Sequence, residues 1–148
     1  DILVDANGKI LVVGQSYTGS DMAMVLWRYN QDGSLDTTFD GNGYALYDTA
    51  GGDDLGEELR IDANGKILVS GRSDNGTDFD MAIWRFNPDG NLDTSFDDDN
   101  GYVIHHGAAG GNGEDVGFDT VLDGAGRILV GGRSFNGVNF DMTIWRYR

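Results

Sequence analysis

The 148 residues contain no cysteine and a single proline, Pro88. The first absence excludes disulfides, thiol nucleophiles and cysteine-bound metals, and decides nothing about compartment. Positive charge is scarce: 10 Lys plus Arg against 25 Asp plus Glu leave a formal charge of −15. A field of that sign repels phosphate backbones and anionic lipid, which disfavours nucleic-acid binding. No run approaches the ~20 apolar residues of a membrane-spanning helix. No basic-then-apolar leader opens these residues, so a signal peptide is expected to have been removed or to lie outside them. Sustained helical spacing with caps is missing too. Histidine occurs only as the neighbours His105 and His106, whose side chains point to opposite faces of a strand and cannot readily share a metal. No serine or threonine stands in a recognisable nucleophile setting. The glycine runs lie among acids that would repel phosphate.

What is abundant is glycine, 24 residues, placed in turns between short apolar runs, and that combination reads as all-β. One stretch organises the chain. Asp62-Ala-Asn-Gly-Lys-Ile-Leu-Val-Ser-Gly-Arg-Ser73 has counterparts starting at Asp5 and Asp123, so the period is 62 − 5 = 57 residues and then 123 − 62 = 61. A period a little above 50 residues marks a repeat array. Each copy is a tight turn running into a β-branched strand, with Asn-Gly expected as a two-residue turn that has both positions at positive φ. The strand glycines Gly14, Gly71 and Gly132 suggest a bulge or a closely approaching backbone.

A second aligned strand, Met22–Tyr29, returns as Phe79–Phe86 and Phe140–Tyr147. Met24, Met81 and Met142 fall on one face of it and Trp27, Trp84 and Trp145 on the other. Apolar groups on both faces imply a sheet sandwiched between two others. The Trp-Arg pairs are read as packing, with each arginine paired to a carboxylate. The linker Asn30–Gly43 recurs as Asn87–Gly101, with Leu35, Leu92, Phe39 and Phe96 as plugs against the sheet. A strand opening Gly43-Tyr or Gly101-Tyr follows, then glycine- and acid-rich loops (Ala50 to Asp54; Gly107 to Asp115), then the strand before Asp62 or Asp123.

Four short strands per unit make a propeller blade. The sequence therefore predicts one repeat domain over residues 1–148, with units of about 1–34 (partial), 35–91 and 92–148. The Gly-Tyr strand is placed first in each blade, so the first blade lacks its first strand. Eleven strands cannot close a ring when closed propellers take ~4–8 blades. Completion is expected either from a second copy, two chains giving six blades, or from further blades of a longer parent.

The segments Asp32-Gly-Ser-Leu-Asp-Thr-Thr-Phe39, Gly43-Tyr, Asp62-Ala-Asn-Gly-Lys-Ile-Leu-Val-Ser-Gly71 and Asp80-Met-Ala-Ile-Trp-Arg-Phe-Asn87 together resemble the delta-60 repeat of bacterial tandem-repeat proteins. Phe39-Asp and Phe96-Asp depart from the Phe-Gly usual there. The resemblance implies a propeller-like fold and a secreted or cell-surface setting, and it brings no catalytic residue.

Function is then expected to be that of a non-enzymatic scaffold or interaction module. A lectin-like propeller is the alternative, though Tyr17 and Phe135 align with Asp74 in the middle repeat and give no regular aromatic site. A glycoside hydrolase would need two acids ~5–10 Å apart, and no pair is singled out. Calcium is the one cofactor considered. Loops holding Asp32, Asp36, Asp89, Asp93, Asp97 and Asp99 supply oxygen ligands without the full twelve-residue calcium-loop pattern, against ordinary Asx-turns.

Overall fold

A computed structural model describes residues 1–48 and 51–148. Thr49 and Ala50, where the first glycine- and acid-rich loop begins, lie outside the described residues. Among those described there is no helix, and eleven strands form three antiparallel sheets. The first sheet holds β1 (Ile2–Val4), β2 (Ile10–Tyr17), β3 (Met22–Tyr29) and β4 (Tyr44–Tyr47) in that order. The second holds β5 (Asp54–Ile61), β6 (Ile67–Asp74), β7 (Phe79–Phe86) and β8 (Tyr102–His105), and the third β9 (Asp115–Leu122), β10 (Ile128–Phe135) and β11 (Phe140–Tyr147). This is the all-β arrangement of consecutive propeller blades.

The phase of the blades differs from the sequence reading. The Gly-Tyr strands β4 and β8 pair with the preceding Trp-Arg strands, Met24 opposite Tyr47 and Trp27 opposite Tyr44 in the first sheet, and Met81 opposite His105 in the second. The first sheet is therefore four-stranded and the third has three. The reason is the linker. Leu35 bridges back to Tyr29 and Leu92 to Phe86, which turns the chain onto the edge it has just left.

The hairpin turn differs as well. Asn7 and Asn64 do not adopt positive φ; Gly8 and Gly65 do, at 76° and 78°. The Gly8 amide donates to the Asp5 carbonyl at 3.0 Å, and Asp5 Oδ1 accepts the amides of Asn7 and Lys9, both at 2.8 Å. Asp62 and Asp123 repeat this geometry. Such a turn needs one left-handed residue, not two.

The sheets stack through their faces. Met24, Leu26, Leu11 and Val13 of the first pack on Leu59, Val69, Ala82 and Trp84 of the second. On the other side of the second sheet, Leu68, Met81 and Ile83 pack on Val130, Ile128 and Trp145 of the third. Alternation along β7 thus sends Met81 and Trp84 into different cores. The plugs divide: Phe39 and Phe96 are buried, whereas Leu35 is exposed.

Candidate functional site

Three polar arrangements stand out. The first is a cation–aspartate node at the foot of each of the first two sheets. Asp36 Oδ2 accepts from Arg28 Nε and Lys9 Nζ, both at 2.8 Å. Asp93 does the same with Arg85 at 2.7 Å and Lys66 at 3.0 Å. Both aspartates are buried. The other carboxylate oxygen accepts from Thr38 Oγ1 at 2.6 Å or Ser95 Oγ at 2.7 Å, while each arginine lies over a buried ring, 4.5 Å from Phe39 and 4.4 Å from Phe96. Hydrogen bonds from Lys9 and Thr38 hold the Asp36 carboxyl far below the usual carboxylate range. At Asp93 burial opposes ionisation, but Ser95, Lys66 and Arg85 outweigh it and hold the group at about 2. The node also joins neighbouring sheets: Arg28 Nη1 donates to the Pro88 carbonyl at 2.5 Å and the Asp40 amide to the Asp89 carbonyl at 2.7 Å. A cavity of about 550 Å³ between the two sheets is lined by Lys9, Arg28, Asp36, Ile61, Asp62 and Pro88, among others.

The second arrangement occurs once among the described residues. Asp78, Asp80 and His106 bring ligand-capable atoms within 4.8 Å of one another. Asp80 is buried; its Oδ1 lies 2.6 Å from His106 Nδ1 and its Oδ2 accepts from Asn75 at 2.8 Å. His106 Nε2 lies 2.8 Å from Asn112 Oδ1. Both neighbours of the ring are acceptor oxygens, so the imidazolium satisfies both. Asn112 and then Asp80 raise the His106 pKa above its ordinary 6.5. His105, one residue earlier, faces the other way against Trp145, at 6.2 Å between ring centres.

The third is a ladder of acids along the first strand of each sheet. Asp1 Oδ2 accepts the Leu59 amide at 3.0 Å, and its counterpart Glu58 accepts the Thr120 amide at 2.6 Å. Burial, then the neighbouring Asp119, raises the Glu58 pKa. Arg60 pairs with Glu58 and reaches Asp119 at 3.2 Å.

None of the six aspartates considered for calcium belongs to the converging group. Asp36 and Asp93 already have cations in the side chains of Lys and Arg. Asp32 and Asp89 receive the amides of Ser34 at 2.9 Å and Asn91 at 3.0 Å, as Asx-turns do. Asp97 and Asp99 sit in a run of left-handed residues with φ of 52° and 70°. The aromatic positions Tyr17 and Phe135 are unlike: Tyr17 is exposed, whereas Phe135 packs edge-on against Phe140 at 5.4 Å. Sequence reasoning missed the Asp80–His106 contact, which joins residues 26 apart and follows no repeat. It also missed Lys9 and Lys66, whose identical place in the repeat was the available signal.

Residues 6–39 and 63–96 match the family described as Domain of unknown function (DUF5122) beta-propeller. These stretches are β-propeller repeats. Each runs from the Asx-turn through two strands to the buried phenylalanine, and the matches are offset by 63 − 6 = 57 residues, the period of the chain. No curated protein matches the sequence.

Proposed function

We propose that the chain is a non-enzymatic scaffold of the delta-60 repeat kind, working as an interaction module in a secreted or cell-surface setting. The observation that carries this is the repetition of the cation–aspartate node. The same Lys, Arg, Asp and hydroxyl recur one period apart, Arg28 and Arg85 each tying its linker to its own sheet, and in both the carboxylate is already engaged by two cations and a hydroxyl. Groups held in this way fix geometry and leave no lone pair or acid proton for a reaction. The one singular cluster has both imidazole nitrogens engaged, which suits a clasp more than a general base. The secreted or surface setting follows from the delta-60 resemblance, and the charge of −15 accords with solubility and cation attraction at such a surface.

A panel of glycoside, ester and peptide substrates tests the reading. The expected result is turnover no faster than buffer. Turnover that vanishes in Asp80→Asn or His106→Gln would overturn it. Labelling of intact producing cells with an antibody to the chain tests the setting separately.

A further inference from the structure

The interface between consecutive sheets is used twice within the chain, and both of its halves also lie open at the two ends of the stack. Met24 and Met81 are each 0% exposed, while the aligned Met142 is 80% exposed. Leu26 and Ile83 are 0% exposed, and their counterpart Ile144 is 64%. Val121, on the same face, is exposed too. That face is the one each earlier sheet covers with its successor.

The complementary half belongs to the first sheet. Leu59 and Ile61 lie in the core against the first sheet; their counterparts Ile2 and Val4 are 65% and 62% exposed. We infer that the open face of the third sheet is a docking surface for the first sheet of a second copy, joined head to tail as the internal sheets are.

Two polar features support the same occupant. Asp1 and Glu58 each accept a backbone amide from the first strand of the next sheet. Asp119 is the next acid in that series and is mostly exposed, with Arg60 beside it. The amide it would meet in a second copy is that of Ile2, now held by its own Asp1 at 2.8 Å. Arg146 is exposed and aligns with Arg28, whose guanidinium reaches the Pro88 carbonyl of the neighbouring linker; the matching carbonyl in a second copy is that of Gln31. Because β1 has three residues where β5 has eight, the contact centres on Ile144 and Val121, with Met142 at its margin. An interface of this type is heterologous and either closes or propagates.

Light scattering on the 148-residue chain tests this. A particle of two or more copies is expected, tightening as salt screens the −15 charge of each copy. Ile144→Asp and Val4→Asp lie on opposite halves, and each should weaken association at least about tenfold with unchanged circular dichroism. Mixing the two variants should restore a heterodimer, since one intact head then meets one intact tail. Should Ile144→Asp fail to fold, Met142→Lys probes the same face. A wild-type monomer at about 100 μM, which would leave the face to some other partner, overturns the inference. So does a Val4→Asp variant that associates like the wild type.

Discussion

At the scale of single residues, the strand glycines show how one repeated letter can carry different constraints. Gly71 faces a bulge in β5, where the register shifts between Gly56 and Glu58, and a methyl on it would run into the Leu55 carbonyl oxygen. Gly132 meets the Val116 carbonyl in the same way. Gly14 does not: the backbone bonds on that side reach Val13, which pairs with Asp1, and the nearest atom to a methyl added at Gly14 is Trp27 Cζ3 at 4.0 Å. Gly71→Ala should therefore cost about 2–3 kcal/mol by overpacking, while Gly14→Ala stays within about 1 kcal/mol of wild type. Urea denaturation of both variants measures this, and equal losses would contradict the geometry. Asp93 gives a second prediction. Replacing it with Asn leaves Lys66 and Arg85 facing a neutral amide in a buried site, so a loss on the order of 2–3 kcal/mol is expected. Its folded pKa is depressed from 3.8 to about 2, so the stability it contributes is complete above the ordinary value and is lost as pH falls toward 2. The wild type should melt progressively earlier over that acid range, and Asp93→Asn should lose much of the slope; an unchanged slope would assign the acid sensitivity to other carboxylates.

Elements show where the chain could be read and where it could not. Strand number and the two-faced character of β7 follow from spacing alone, since Met81 and Trp84 are an odd number of positions apart. The turn geometry was legible as well, in the third copy: Ala125 stands where Asn7 and Asn64 stand, and alanine resists the positive φ that the mirror-image turn demands. The blade phase was not legible, because a periodic chain can be cut anywhere. It depends on the linker folding back through the Arg28–Asp36 contact, a tertiary event. The Asp80–His106 contact was equally hidden, because it joins the start of β7 to the residue after β8, and although Asp80 recurs as Asp141, Asp48 stands in the first repeat where His106 stands in the second. That contact clasps the ends of two strands to the loop carrying Asn112. A histidine whose folded pKa is raised contributes stability that is whole below the unfolded value of 6.5 and is lost as pH climbs through the folded one. The melting temperature should therefore drop as pH rises past 6.5, and His106→Gln should flatten that drop. Identical pH profiles for the two proteins would show that the clasp bears no load.

For the whole molecule, two electrostatic effects of opposite sign compete. The nodes are attractive and buried at the aspartate end, so salt reaches them weakly. The 25 acidic residues against 10 basic ones produce a repulsion that acts mainly through exposed loops such as Asp97–Asp99, where screening is effective. Repulsion among surface acids should therefore dominate the salt response. Raising sodium chloride from about 10 mM to about 200 mM shortens the screening length from ~30 Å to below 10 Å, so the melting temperature should rise. The same titration on Asp93→Asn separates the terms: with its node disabled, the variant should gain at least as much from salt as the wild type. A wild-type melting temperature that falls with salt would mean that ion pairs such as the nodes and Arg60–Asp119 outweigh the repulsion among surface acids.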